Sequence, residues 1–216
     1  MPPPSVGRPD REGREMQLRF WRRPKTPKPG THVDFPDLAP KQLMMAAPKS
    51  VMPTLQRPPL PTGYSLRTYR AGDDSRWIKL LVGSGFEQWD QQKFAEYMAA
   101  PERLAGSQVV ECEGDLVAAT FASQRQLKPR IGAVDYVVCL PEHRGHKLGM
   151  LTTVAVMQYL FEHGYEAVTL ATDDDRMPAL KIYLDIGFRP VLNRVDMASR
   201  WLDIQTALLN KKGTAQ

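Results

Sequence analysis

Residues 133–151 read AVDYVVCLPEHRGHKLGML. An apolar run from Val134 to Leu140 is stopped by Pro141, and a polar turn follows from Glu142 to Lys147. A long apolar-periodic segment then begins at Leu148. A buried strand that feeds the first turn of a helix presents backbone N–H groups without intrahelical partners, together with roughly half a positive charge. That is a ready site for a phosphate group. Gly145 and Gly149 allow close approach to the main chain, while Arg144, His146 and Lys147 add charge. The turn is therefore expected to hold an anionic cofactor.

Working outward, composition divides the 216 residues in two. Fourteen of the 19 prolines fall in residues 1–62. The same stretch holds 11 Lys/Arg against 5 Asp/Glu, whereas residues 63–216 hold 18 against 19. The net charge of +5 thus comes from the first 62 residues, and the basic balance does not argue for a nucleic-acid groove in the globular part. Residues 1–62 are expected to be a Pro-rich basic extension, largely irregular, because they offer little to bury against their ordering entropy. Leu18, Phe20 and Trp21 form one local apolar patch that could dock on the domain or a partner; Phe35, Leu38, Leu43 and Met44 could cross the domain surface in the same way. Met16 is an alternative start. No 18-residue apolar run exists and the N-terminus lacks a signal-peptide core, so a cytoplasmic protein with no membrane partner is expected. Cys112 and Cys139 read as small buried apolar residues in a reducing compartment.

The folded part, 63–216, is expected to begin with a half-buried strand at Tyr64–Arg70, whose residues alternate in period two. Asp73 and Asp74 are placed to cap a helix carrying Trp77, Ile78, Leu80 and Leu81. A second helix spans about Asp90–Ala100, bounded by Pro101. Ser107–Glu113 and Leu116–Gln124 form a hairpin about Gly114-Asp115. The strand quoted above and the helix from Leu148 to about His163 come next, then a strand at Ala167–Ala171. A short helix with Pro178 near its start closes at Gly187; a strand at Phe188–Leu192 and a final helix from Met197 to Leu209 complete the chain. This order predicts an α/β sandwich with a mixed sheet, antiparallel first and crossing over later.

Two motifs carry a resemblance. Pro141-Glu142-His143-Arg144-Gly145-His146-Lys147-Leu148-Gly149 after a strand, followed by Ala179-Leu180-Lys181-Ile182-Tyr183-Leu184-Asp185-Ile186-Gly187-Phe188, is similar to the GNAT (Gcn5-related N-acetyltransferase) family over about residues 64–192. Lys147 stands where the first motif glycine usually sits, and Arg176 where many members have Asn. The usual last strand is not evident after Leu192, and a helix with Trp201 takes its place. The resemblance implies a mostly antiparallel central sheet flanked by helices, with one strand pair splayed for the pantetheine arm of acetyl-CoA. Backbone groups of Val137, Val138 and Cys139 would bond that arm, and Arg144, Gly145, His146, Lys147, Leu148 and Gly149 would hold the pyrophosphate.

The resemblance also gives Tyr183 as the acid that protonates the departing thiolate; its ordinary pKa of about 10 suits a donor at neutral pH. An attacking amine must first lose a proton. Asp135 is the first candidate to take it, followed by Glu111, Glu113 and Glu142, or a water chain. The implied activity is transfer of an acetyl group from acetyl-CoA to a primary amine of a small molecule or protein by direct attack. The alternative is an acyl-CoA-binding sensor or docking module of the same fold. Asp173-Asp174-Asp175 sits at a strand-to-helix turn and reads as capping rather than metal binding, and His143 and His146 lack partner ligands for zinc. No specific nucleic-acid partner is expected, and a homodimer is the assembly that the resemblance allows.

Overall fold

The computed structural model describes residues 42–127 and 130–213. The patches around Leu18 and Phe35, the alternative start at Met16, and residues Lys128 and Pro129 lie outside them. By its internal contacts the chain divides into two units, Gln42–Pro190 and a second made of residues 1–41 and 191–216. The described part of the second unit contains one helix, α6 (Met197–Gly213). Asp196, just ahead of it, accepts from Arg194 at 2.9 Å and Arg200 at 2.8 Å.

The first unit carries seven strands: β1 (Leu43–Pro48), β2 (Tyr64–Thr68), β3 (Gln108–Cys112), β4 (Asp115–Leu127), β5 (Arg130–Cys139), β6 (Ala167–Thr172) and β7 (Arg189–Pro190). Its helices are α1 (Asp74–Gly83), α2 (Gln91–Met98), α3 (Pro101–Gly106), α4 (Leu148–Glu162) and α5 (Met177–Asp185). The strands form one sheet in the order β2-β3-β4-β5-β6-β1-β7, in which β5 and β6 are parallel and every other neighbouring pair is antiparallel. The parallel pair arises because β5 returns to β6 through α4, a crossover that a short turn cannot make. No helix among the described residues is long and apolar enough to cross a membrane.

Each face of the sheet is covered. On one side α4 lies across β3 to β6, and ten of its residues are buried, including Leu151, Val154, Val156 and Phe161. Gly132 on β5 permits that approach: a Cβ there would come within 2.9 Å of Leu160. On the other side Trp77 and Leu81 of α1, Phe94 of α2 and the loop residue Trp89 pack on Phe121 of β4, with Trp77 stacked on Phe121 at 4.6 Å. The β3–β4 hairpin turns at Glu113 and Gly114, whose φ values of 51° and 85° supply the left-handed pair that a two-residue turn needs.

Two expectations are corrected. The fold was expected to start near Gly63, with Leu43 and Met44 crossing the surface. Instead, β1 lies within the sheet between β6 and β7, pairing Leu43–Pro48 with Ala167–Thr172, and Leu43 and Met45 are fully buried. It occupies sheet space beside β6, and among the described residues after Leu192 there is a helix and no strand. No helix was expected between Pro101 and Ser107, yet Pro101, which does mark the boundary after α2, also opens the short helix α3, where its missing N–H is harmless.

Smaller differences concern caps and thiols. The Asp73 carboxylate caps no helix N–H; it accepts instead from the Arg70 N–H and from two guanidinium groups. Helix α5 likewise has no side-chain cap, its N-cap position being Arg176, and Asp173 is engaged by Gln42 and Arg176 instead. Cys112 and Cys139 are free thiols and half-buried rather than buried.

Candidate active site

Strands β5 and β6 are in register only from Ile131–Ala133 against Ala167–Thr169. Beyond that point β5 runs on to Cys139 and β6 to Thr172 without pairing to each other, so the β6-facing edge of residues 134–139 opens onto a gap. A bulge reinforces the divergence. Between Ala119 and Phe121 on β4, the opposite strand advances from Val138 to Asp135, leaving one extra residue on β5. Tyr136 absorbs it at φ 48°, a left-handed conformation uncommon for a bulky residue. Edge-on contacts with Phe86 at 5.2 Å, Trp89 at 5.1 Å and Tyr97 at 5.7 Å hold the Tyr136 ring in place.

A cavity of about 450 Å³ occupies the gap. One wall is β5 from Val134 to Val137; the other is Leu170 to Asp173, with Arg176 and Tyr183 behind it. Phe86, Gln88, Tyr97 and Arg125 close the side nearest α1 and α2. Gln42, just before β1, completes the lining.

Tyr183 projects from α5, only 7% exposed, with Phe188 edge-on to its ring at 6.0 Å. Burial pushes its phenol up to about 12, against a smaller lowering influence of Arg176. The group is therefore protonated throughout the neutral range. Asp135 is held from two sides: its Oδ2 accepts from the Tyr97 hydroxyl at 2.8 Å and its Oδ1 from Arg125 Nη2 at 2.5 Å. Burial, and after it the Asp135 charge, raises the Tyr97 phenol well above its ordinary value.

The polar turn lies at the far end of β5. Its 3₁₀ turn, Pro141–His143, leads to Gly145 at φ 87° and Lys147 at φ 59°, and α4 begins at Leu148. The first helical bond outside the turn runs from the Leu151 N–H to the Lys147 carbonyl, so the N–H groups of Leu148, Gly149 and Met150 precede the ladder. Turn and gap are contiguous, since a Cβ on Gly149 would lie 3.5 Å from Val137 Cγ1. Left-handed Lys147 explains how a lysine fits a position that favours glycine: the backbone keeps the glycine-like conformation, at a cost of roughly 1 kcal/mol.

Of the residues singled out in the sequence, Asp135, Val137 and Tyr183 meet at the cavity. Arg144 to Gly149 form the turn. Val138 packs into the aromatic core, leaving only its main chain for a ligand. Cys139 lies on the opposite face, where burial raises its thiol above the ordinary value. Both turn histidines are engaged by Tyr64: His143 Nδ1 lies 2.9 Å from the Tyr64 hydroxyl, and His146 packs on the ring at 5.6 Å. Glu111 pairs with Arg67 and Arg76 away from the cavity. Glu113 and Glu142 line a separate depression of about 280 Å³. Gln42, Phe86, Gln88, Tyr97 and Arg125 had no signal in the sequence, because they reach the cavity from four separate places: the residue just before β1, the α1–α2 loop, α2 and β4.

Comparison with known proteins gives the family and the fold. The chain matches the acetyltransferase (GNAT) family over residues 75–188, more than half its length. It is 35% identical over 151 residues to a mycothiol acetyltransferase of Sanguibacter keddieii, covering 65% of this chain and 48% of that protein. The chain spans about half the length of the curated relatives it matches. Among solved structures, a GCN5-related N-acetyltransferase from Kribbella flavida superposes with a TM-score of 0.51 at 21% identity, over 69% of this chain and 54% of that one. A tandem GNAT protein from the clavulanic acid biosynthesis pathway gives 0.56 at 21% identity, over 70% and 51%. These two share the fold.

Proposed function

Since the chain belongs to the GNAT acetyltransferase family, we propose that it transfers an acetyl group from acetyl-CoA to a primary amine, with Tyr183 as the general acid. The observation that carries this reading is the parting of β5 from β6 after Ala133 and Thr169 into a cavity that ends on a buried, protonated tyrosine. Residues 134–139 offer an unpaired strand edge to the pantetheine amides, and the N–H groups from Gly145 to Gly149 suit the pyrophosphate, that of Arg144 being bonded to the Pro141 carbonyl. The coenzyme supplies an acyl thioester open to attack by a neutral amine.

The residues of this chain then have separable tasks. Tyr183 gives its phenolic proton to the departing sulfur; a positioned acid is worth roughly 10²–10⁴-fold in rate. Asp135 is the proposed receiver of the amine's proton, and it alone of the four carboxylates considered lines the cavity. Each of its oxygens keeps a lone pair beyond the bond it already accepts. The Tyr97 and Arg125 contacts hold it toward the cavity.

Release of free thiol from acetyl-CoA, followed with a panel of primary amines for the wild type and Tyr183→Phe, tests the proposal. Amine-dependent release that falls at least a hundredfold in the variant is the expected result. Tight coenzyme binding without turnover for any amine would favour the binding-module alternative.

A further inference from the structure

The hydrogen-bonding groups of the cavity do not balance. Two carboxylates line it, Asp135 and Asp173, and both oxygens of each are already engaged. Asp135 accepts from Tyr97 and Arg125, while Asp173 accepts from Gln42 at 3.1 Å on Oδ1 and forms an ion pair with Arg176 Nε at 3.3 Å on Oδ2. Two guanidinium groups line the same cavity, and each spends a single nitrogen on protein. Arg125 uses Nη2 and Arg176 uses Nε, and both side chains are 50% exposed. A guanidinium has five N–H donors. Among the described residues, the two guanidinium groups therefore keep more donors without a protein partner than the two carboxylates keep free lone pairs.

Arg125 is also set by a local irregularity. Gln124 faces Gly132 and Gln126 faces Ile131, so Arg125 is the extra residue of a second bulge, on β4. Bulges re-aim side chains and are frequent beside active sites. This one lies on the same strand pair as the bulge at Tyr136, and the Arg125 side chain reaches the carboxylate just ahead of that bulge. The polar turn that suits the pyrophosphate lies at the other end of β5, so the Arg125 donors are left for the second substrate.

We propose that the amine acceptor carries an anionic group, a carboxylate or a phosphate, that binds Arg125 with Arg176 as the second donor. The proposal rests on the acetyl-transfer reading and adds the acceptor's chemistry to it. Planar guanidinium forks favour carboxylate and phosphate oxygens over neutral groups. An uncharged or cationic amine leaves these donors to water and gains no charge-assisted bond from them, whereas an anionic group does.

The experiment uses the full chain and amines paired to differ only in the anion: γ-aminobutyrate against butylamine, and phosphoethanolamine against ethanolamine. The kcat/KM with acetyl-CoA is measured for each, and calorimetry of the same amines on coenzyme A-loaded protein reads binding without turnover. The anionic member of at least one pair is expected to be favoured by about ten- to a hundredfold, and the favoured pair tells carboxylate from phosphate. Arg125→Gln should bring that ratio close to one, and Arg125→Lys should leave it intermediate. Equal or better use and binding of the neutral members overturns the proposal, as does a ratio unchanged in Arg125→Gln. An Arg125-dependent preference for succinyl-CoA over acetyl-CoA also overturns it, by moving the anion to the donor side. If no amine turns over while calorimetry shows the Arg125-dependent preference, the anion site stands and the acetyl-transfer reading falls.

Discussion

Arg67 grips Asp73 with a two-pronged fork, Nη1 to Oδ2 at 2.6 Å and Nη2 to Oδ1 at 2.9 Å, and the carboxylate is only 2% exposed. Burial by itself would raise the carboxyl. The hydrogen bonds from Arg67, Arg76 and the Arg70 N–H outweigh it and bring Asp73 down from 3.8 to about 2. A carboxylate whose folded value is depressed contributes stability that is fully present above its unfolded value and is lost as pH falls through the folded one. The contribution of Asp73, roughly 2 kcal/mol, should therefore fade between about pH 4 and pH 2. Asp73→Asn leaves Arg67 short of its main partner and should destabilise the fold by about 2–4 kcal/mol at neutral pH. Urea unfolding at pH 7 and pH 3 checks both points: the variant should lose much less stability on acidification than the wild type.

Tyr183 gives a second prediction with its own pH signature. Because burial lifts the phenol to about 12, the acid form persists across the accessible alkaline range. Single-turnover acetyl transfer should therefore show no alkaline limb attributable to Tyr183 below about pH 11. Tyr183→Phe should lower kcat at least a hundredfold with little change in the acceptor KM. An unaltered kcat, or a matching fall in thermal stability, would assign the tyrosine to packing alone.

What could be read from the sequence and what could not divides along physical lines. The strand, polar turn and helix from Ala133 to Leu151 were legible because Pro141 ends the strand and the apolar spacing changes period at Leu148. The helix bearing Tyr183 was legible through Pro178 and Gly187, which punctuate its ends. Strand β1 was not. Leu43-Met44-Met45-Ala46-Ala47 is apolar at every position, and the adjacent residues Met45 and Ala46, which point to opposite faces of the sheet, are both buried, so it lacks the alternation that marks a half-buried strand. Prolines before and after it made it look like tail. Arg125 was hidden for another reason: a bulge is a property of the register between two strands, and neither strand carries it alone. The partners of Asp135 come from β4 and α2, a juxtaposition that only the folded chain creates.

The place of β1 in the sheet can be tested directly. Met45 is fully buried, with Leu170 of β6 on one side and Pro190 of β7 on the other. Met45→Asp puts an unpaired charge in that position and should cost more than about 3 kcal/mol, whereas Met45→Leu should cost under about 1.5. Thermal unfolding of the two variants distinguishes a structural strand from a surface tail, on which both would be close to neutral.

Lys147 provides the last test, because its backbone and its charge can be separated. At φ 59° and ψ 21° it sits in the left-handed region, where glycine is relaxed and a β-branched residue is strongly disfavoured. Lys147→Gly should leave stability within about 1 kcal/mol of the wild type, strain relief offsetting the added chain entropy. Lys147→Val should lose about 1–2 kcal/mol and distort the turn. If the main-chain N–H groups hold the pyrophosphate, Lys147→Gly keeps most of the coenzyme A affinity and Lys147→Val loses it. If the ammonium group is the dominant contact, both variants weaken alike and the salt dependence of binding falls with them. Calorimetric titration of coenzyme A at two salt concentrations separates the two outcomes.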